Sequence, residues 1–478
     1  MRAVILAVAM FSGPAMASAQ TPSAPQDLAS QVRALTEAVT ALQAALSASQ
    51  RDVEALKAQL EAIRGALAAA KGGAENRDLA TLAQDVELLA AKVNDQEQLK
   101  VESGSKYHVR VSGVLLVTAT AVRGLVDNLD LPLVALPGTA GDSRGSVSAA
   151  VRQSSATLSV FGPALGGART SGSLAFDFFG GFPGTSEGVT AAHARLRTAA
   201  IALDWATTSL SAGQDAPFFS PLSPTSMATV AYPGFASAGN LWTWTPQVAV
   251  THRIATGTGQ SVVLQAGLLD PLTGEAPASE YARVPNAGER TGRPGVAGRI
   301  AFETTGDAPQ AIGIGVYQAA HLWGFDRTTS AWALTADAHL SFGAVQLSGE
   351  GYRGQGLAGL GGGAAPAVVF NGDPAVAASS LRVVGSEGGW AEVRFDATPR
   401  VSLVGSAGLD QVRGDAQPWL LASNAATPRR NASMAAAVIG RLRSNIMVSA
   451  EYRWLSTTTV AAVTARAHAI TLVMGMLF

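Results

Sequence analysis

The sequence predicts an all-β transmembrane barrel of about sixteen antiparallel strands, preceded by an N-terminal α-helical coiled coil. Hydrophobic residues make up 47% of the chain and charged residues only 14%. Beyond the N-terminus, however, no run of about 18 apolar residues is long enough to cross a bilayer as a helix. From Tyr107 onward, apolar and polar residues alternate with a period of two. A closed barrel is then the remaining way to satisfy every backbone group in lipid.

The first 19 residues are typical of a secretory signal peptide. Met1 and Arg2 form a short basic start, residues 3–16 are mostly apolar, and Ala17-Ser18-Ala19 is an A-x-A cleavage site. An ordinary N-terminal helix is the alternative. The chain has no cysteine, which excludes disulfides and thiolate metal ligands, and its net charge of −1 gives no electrostatic reason to bind nucleic acid.

Residues 20–106 are predicted to form a coiled coil. From Leu28 to Leu67, apolar residues recur in alternating steps of four and three, with Ser49 as the one polar residue in the series. The Lys71-Gly72-Gly73 segment interrupts this spacing, and it resumes after Leu79. A sustained heptad pattern predicts a left-handed coiled coil and therefore a homo-oligomer. A helix packed on its own domain is the alternative.

Residues 107–478 contain the candidate barrel strands. Their predicted starts lie near Tyr107, Val147, Gly167, Ala191, Thr207, Pro246, Ser261, Pro294, Pro309, Ser330, Gly343, Val383, Pro399, Asn431, Ser444 and Ala465. The connections between them alternate between short turns and long loops, as in bacterial outer-membrane barrels. The last strand carries Ile470, Leu472, Met474, Met476 and Phe478 on one face, which predicts contact with lipid.

Charged residues share one parity in several predicted strands, opposite apolar residues such as Ile300 and Phe302. An arginine facing lipid near the midplane would cost about 2–4 kcal/mol, so the charged face is predicted to point inward. By the same alternation, Tyr452 and Trp454 face lipid near the outer interface. The predicted pore-lining residues are His193, Arg195, Arg197, Arg299, Glu303, Asp337, Glu350, Glu392, Arg394, Glu451 and Arg453.

The fourth predicted strand carries three basic residues, His193, Arg195 and Arg197, at every second position. They are expected to form a short basic ladder in the lumen that attracts anions. The alternative is that they pair with lumen acids such as Glu350 or Glu392.

The longest loop, residues 215–245, follows the fifth predicted strand and has no charged residue after Asp215. It is rich in aromatic residues, which a disordered loop would not be. We expect it to fold inward and narrow the channel, with packing against a neighbouring subunit as the alternative. The predicted constriction residues are Phe218, Phe219, Tyr232, Trp242 and Trp244.

Four short motifs occur in order along residues 150–215: Arg152-Gln153-Ser154, 176–180 (Phe-Asp-Phe-Phe-Gly), Arg195-Leu196-Arg197 and Ala212-Gly213-Gln214. With the architecture of the whole chain, they resemble the trimeric outer-membrane porins of the DcaP-like family. The resemblance implies a homotrimer in the outer membrane with a periplasmic N-terminal segment. It also implies a third loop that enters the pore, and lumen arginines that draw in small anionic solutes such as dicarboxylates. In such barrels, the terminal aromatic residue, here Phe478, is recognised by the barrel-insertion machinery.

These features favour a passive diffusion porin, which needs no catalyst, cofactor or metal. The alternative is a structural envelope protein, with the barrel as an anchor and the coiled coil as a tether reaching toward peptidoglycan. A barrel enzyme would need a nucleophile and a histidine at the outer rim, and none of the six histidines stands in a catalytic motif or at metal-ligand spacing.

Overall fold

The computed structural model describes residues 107–139, 141–184, 191–277, 279, 282–306 and 308–478. The predicted signal peptide, residues 1–19, and the predicted coiled coil, residues 20–106, lie outside these residues and stay predictions.

Sixteen long strands form one antiparallel sheet within the described residues. They are β1 His108–Arg123, β2 Gly145–Ala150 with Ser155–Leu165, β3 Ala168–Asp177, β4 Arg195–Asp204, β5 Thr208–Asp215, β6 Thr245–Gly257, β7 Gln260–Leu269, β8 Gly295–Thr304, β9 Gln310–Leu322, β10 Thr328–Phe342, β11 Val345–Gln355, β12 Gly385–Thr398, β13 Val401–Arg413, β14 Pro428–Arg441, β15 Ile446–Thr459 and β16 Thr464–Leu477. Strand β2 is interrupted at residues 151–154, and both of its pieces pair with β1.

The sheet closes on itself because β16 pairs with β1, from Val114↔Leu477 to Arg123↔His468. Closure removes the sheet edges, at which backbone groups would otherwise stay unpaired. The predicted sixteen-stranded antiparallel barrel is therefore confirmed. Every predicted strand start lies within four residues of the observed one, and the largest difference is at β4, which begins at Arg195 rather than near Ala191.

Apart from the interruption of β2 and a bulge in β4, side chains alternate between the two faces of the wall. In β16, Ile470, Leu472 and Met474 are 55–57% exposed on the outside, whereas Ala469 and Val473 are buried on the inside. The apolar face predicted for the last strand therefore points outward. The Phe478 main chain adds two hydrogen bonds to Gly113 of β1, which ties the end of the chain to the barrel wall.

The connections differ at the two ends of the barrel. Short turns lie at the same end as Tyr107 and Phe478, and most of the longer loops lie at the other end. These loops contain two small hairpins, Leu125–Val126 with Ala135–Leu136 and Val368–Phe370 with Leu381–Val383. They also contain the helix Gln417–Ser423 and the 3-10 turns Glu289–Thr291 and Ala358–Leu360. Among the described residues, no helix has the length and apolar character to cross a membrane.

The largest buried apolar cluster lies inside the barrel, between the wall and the loop of residues 216–244. Phe219 of this loop has no exposed surface, and its ring stacks on Tyr317 of β9 at a centroid distance of 5.4 Å. A side chain at Gly315 of β9 would collide with the carbonyl oxygen of Phe219. Glycine at this position lets the loop backbone lie directly on the wall.

Candidate functional site

The loop of residues 216–244, called the inner loop below, enters the lumen and is held there by three glutamates of the wall. Glu350 accepts hydrogen bonds from the Ser220 hydroxyl and from the backbone N–H of Leu222, the latter at 3.1 Å. Glu392 accepts one from the N–H of Thr225 at 2.7 Å.

Glu451 of β15 makes the most extensive of these anchors. It accepts hydrogen bonds from the Ser226 hydroxyl at 2.5 Å and from the N–H groups of Met227 and Ala228 at 2.7 and 3.1 Å. Hydrogen bonds to a carboxylate are about twice as strong as neutral ones. The glutamates of β11, β12 and β15 thus fix residues 220–228 across one side of the lumen.

The middle of the inner loop, at Ala228 and Ala231, is fixed by β2 and β4. Gln153 donates to the carbonyl oxygen of Ala228 at 2.9 Å and accepts from the N–H of Ala231 at 3.1 Å. Arg195 donates to the carbonyl oxygen of Ala231 at 2.9 Å. Residues 220–231 of the loop therefore pass from β11, by way of β12, β15 and β2, to β4.

The loop buries the inward face of one part of the wall and leaves another part open. The following inward side chains of β8–β15 are only 3–8% exposed: Arg299, Asp337, Glu350, Glu392, Glu451 and Arg453. The following inward side chains of β2–β5 are half-buried or exposed, and all are small: Ser155, Thr157, Ser159, Ser171, Ser173, Thr198, Ala200, Ala202, Ser209 and Ser211. We call the second set the open wall.

Two arginines and one aspartate lie at the long-loop end of the open wall. Asp177 of β3 has no exposed surface and accepts hydrogen bonds from Arg195 at 3.1 and 2.7 Å. Nε of Arg197 lies 3.7 Å from the same carboxylate. Two guanidinium groups thus share one carboxylate, which leaves a net charge of about +1 at this point.

A β-bulge brings both arginines to the same carboxylate. Ala175 pairs with Thr198 and Phe176 pairs with Leu196, so that Arg197 is the extra residue on β4. The acid that pairs with these arginines is Asp177 and not Glu350 or Glu392, because those glutamates bind the inner loop. His193 lies before β4, is exposed, and contributes main-chain hydrogen bonds to Gly180 and Gly181.

Three of the predicted constriction residues form a half-buried cluster beside the two arginines. The ring of Tyr232 lies 4.8 Å from that of Trp242 and 6.3 Å from that of Trp244. The guanidinium of Arg195 lies 4.5 Å from the Tyr232 ring, and that of Arg197 lies 5.0 Å from the Trp244 ring. Such cation–π contacts favour one fixed orientation of the arginines.

The two phenylalanines of the inner loop have different environments. Phe219 is fully buried against the wall, so it cannot face a solute as the constriction prediction would require. Phe218 is half-buried and borders a cavity of about 290 Å³ with Ser211 and Ala249.

The remaining charged residues of the predicted pore lining are mostly paired. Arg299 donates to both carboxylate oxygens of Asp337 at 2.9 and 2.6 Å. Arg253 pairs with Glu303 at 2.5 Å, and Arg394 pairs with Asp396 at 2.8 Å. Arg453 is buried, and its guanidinium lies 5.8 Å from the ring of Phe235.

Asp177 and Gln153 are site residues that the sequence did not predict, although both lie in the short motifs described above. Asp177 lies in the 176–180 motif, and it is the one acidic residue of β3. Gln153 lies in the Arg152-Gln153-Ser154 motif, at the interruption of β2, where a break in strand alternation turns it inward.

The barrel is similar to solved structures of outer-membrane channels. The outer membrane channel DcaP of Acinetobacter baumannii matches with a TM-score of 0.59 and 14% identity, over 78% of this chain and 97% of that chain. The OprB structure from Pseudomonas putida has a TM-score of 0.47 and 12% identity, over 78% of this chain and 94% of that chain. An anion-selective porin from Comamonas acidovorans has a TM-score of 0.46 and 12% identity, over 78% of this chain and 100% of that chain.

No protein-family model matches this chain, and no curated protein sequence matches it. At 14% identity, the likeness to DcaP shows a shared fold. It supports the predicted resemblance to DcaP-like porins at the level of the barrel.

Proposed function

We propose that this chain is an outer-membrane porin, a passive diffusion channel for small hydrophilic solutes. The observation that carries the proposal is the open wall of β2–β5, whose inward side chains are small and accessible although the inner loop buries the inward face of β8–β15. Hydroxyl groups on this wall can hydrogen-bond to water and to solutes in transit. The function requires no reacting group, because a hydrated path with a charged constriction is sufficient.

The proposed solutes are small anions of the dicarboxylate class. Arg195 and Arg197 share the single carboxylate of Asp177, and the inner loop adds no charge between residues 216 and 244. A net positive charge in a confined aqueous path raises the local concentration of anions. Because Arg197 is the less tightly paired of the two arginines, we assign it the larger influence on solutes.

The height of the apolar band on the outward face supports a position of the barrel in a membrane. Ten residue steps separate Phe478 from His468 along β16. At about 3.4 Å per residue and a tilt of about 40°, this distance corresponds to a height of about 26 Å, close to the apolar band of about 25 Å in outer-membrane barrels. We propose that the short-turn end, with Tyr107 and Phe478, faces the periplasm and that the long loops face outward.

The proposed assembly is a homotrimer with residues 20–106 as a periplasmic coiled coil. The heptad pattern and the family resemblance support it. Phe478 is the proposed signal for the barrel-insertion machinery, and its side chain is half exposed at the proposed periplasmic rim.

Recording from single channels in planar bilayers tests the proposal. We expect discrete conductance steps from the folded protein and a reversal potential displaced toward anions in a salt gradient. Removal of residues 21–100 should leave the conductance of each barrel unchanged and abolish crosslinked trimers. A folded barrel that inserts but never conducts would refute the porin and leave the envelope-tether alternative.

A further inference from the structure

The outer surface carries a second polar feature, away from the lumen. A groove of about 660 Å³ lies between residues 124–139 and 141–144 on one side and the long-loop end of β16 on the other. Three arginines border it: Arg123 at the end of β1, Arg144 before β2, and Arg466 in β16. All three are exposed.

These arginines have no partner among the residues that the structure describes. None of the three guanidinium groups makes an ion pair or a side-chain hydrogen bond there. The groove has one carboxylate, Asp142, which accepts hydrogen bonds from the N–H and the hydroxyl of Thr139. These bonds hold the pKa of Asp142 below its ordinary value. The groove therefore carries an excess of at least two positive charges.

The height of the groove is fixed by the side chains below it. On the outward face of β16, the apolar residues end at Ile470, and His468 and Arg466 follow. On the neighbouring β1, Arg123 pairs in register with His468, so both strands change from apolar to basic at the same level.

Aromatic residues mark the same level. Tyr452 is 42% exposed on the outward face of β15, and a 2.7 Å hydrogen bond joins its hydroxyl to Nδ1 of His468. Trp454 lies opposite His468 in the strand pairing and faces the same side. Tyrosine and tryptophan on a lipid-facing wall mark the boundary between hydrocarbon and headgroups. The groove thus lies directly above the apolar band, at the headgroup level.

We propose that this groove binds the phosphate groups of a phosphorylated glycolipid of the outer leaflet. Arginine binds phosphate through paired N–H groups, and three unpaired arginines around one groove match a headgroup that carries more than one phosphate. Acyl chains of the same lipid would lie along Ile470 and Leu472 below. A second copy of the chain fits less well, because it would bury three unpaired guanidinium groups at large cost.

The proposal rests on the proposed place of the barrel in an outer membrane, but not on conduction. Native mass spectrometry of the full chain in detergent tests it with three probes: lipid A with both phosphates, the same lipid with its phosphates removed, and inorganic phosphate. For the unaltered protein, we expect affinity for the phosphorylated lipid to be about tenfold higher than for the dephosphorylated one. Millimolar inorganic phosphate should not displace the lipid.

The variant R123Q/R466Q should lose this preference. The matched control is R353Q/R413Q, which removes two outward arginines from β11 and β13 at the same end of the barrel, where Arg413 already pairs with Glu387 at 2.8 Å. The control should keep the preference, and the conductance of R123Q/R466Q in planar bilayers should equal that of the unaltered protein.

Equal binding of the phosphorylated and dephosphorylated lipids by the unaltered protein would overturn the proposal. This comparison uses the unaltered protein alone, so it does not depend on whether a variant folds. An equal loss of the preference for phosphorylated lipid in R123Q/R466Q and R353Q/R413Q would also overturn it. The preference would then depend on the total positive charge of the surface and not on this groove. Displacement by inorganic phosphate would indicate an anion site without a lipid. Dissociation of oligomers in R123Q/R466Q, with lipid binding unchanged, would assign the groove to a contact between copies.

Discussion

The two sides of this barrel follow the same alternation of side chains and yet present different interiors. The ten residues of the open wall on β2–β5 are small, mostly hydroxylic and accessible, whereas the inward charged residues Arg299, Asp337, Glu350, Glu392, Glu451 and Arg453 of β8–β15 are large and buried. The difference arises because residues 219–228 of the inner loop lie on β9–β15, where Glu350, Glu392 and Glu451 bind them, whereas the loop contacts β2 and β4 through Gln153 and Arg195 at the long-loop end. A charged residue that faces the lumen is therefore not the same as a residue that faces a solute.

The largest expected effect tests which side chains of the wall face lipid and which face the lumen. The substitution Ile300→Arg places a charge on the lipid face of β8 and should lower the free energy of unfolding by about 2–4 kcal/mol. Thr157→Arg on the open wall should leave the stability nearly unchanged and reduce conductance by obstructing the path. Denaturant unfolding in detergent and single-channel recording check both. Equal destabilisation by the two substitutions would contradict the assignment of faces.

A smaller effect tests the anchored side. Glu451→Ala removes an acceptor of three hydrogen bonds from the inner loop, and we expect a loss of about 2–3 kcal/mol together with faster hydrogen exchange at residues 226–228. Glu303→Ala is the control, because Glu303 faces the lumen but pairs with Arg253 instead of the loop. Amides 226–228 that stay as protected as before would show that the loop does not depend on this anchor.

The smallest expected effect is at Asp177 and Arg197, at the long-loop end of the open wall. Arg197→Ala removes one positive charge and should shift the reversal potential toward cations, whereas Asp177→Asn removes the shared negative charge and should shift it toward anions. A unit charge near an aqueous path changes the energy of a passing ion by about 1 kcal/mol, which corresponds to about fivefold in the permeability ratio. Shifts in the same direction, or none, would remove these residues from the constriction.

Strand number, closure and facing could be predicted because each leaves a periodic signal in the sequence. The parity of Glu350, Glu392 and Glu451 places them inward, and the structure agrees. Their partners could not be predicted, because N–H groups of the inner loop more than one hundred residues away carry no side-chain pattern. The same limit applies to Phe219, whose burial depends on contact with Tyr317.

The long-loop end of the open wall shows a second limit of prediction from sequence. The bulge at Arg197 adds one residue to β4, and strict alternation cannot reveal such an insertion. Strict alternation also extended the basic ladder to His193, which lies before the strand. The ion pair of Asp177 could have been predicted from the sequence, since a lone acidic residue at the end of one strand, next to a strand that begins with two arginines, predicts such a pair.

We propose that water and solutes pass along β2–β5 and not along β8–β15. Because the chain contains no cysteine, single substitutions can report accessibility without background labelling. Ser173→Cys on the open wall and Ser433→Cys on the buried inward face of β14 are matched changes of one atom, and each is treated with a charged, membrane-impermeant thiol reagent during single-channel recording. We expect modification and a fall in current for Ser173→Cys and no reaction for Ser433→Cys. Reaction at position 433 with position 173 inert would show that solutes do not pass along the open wall.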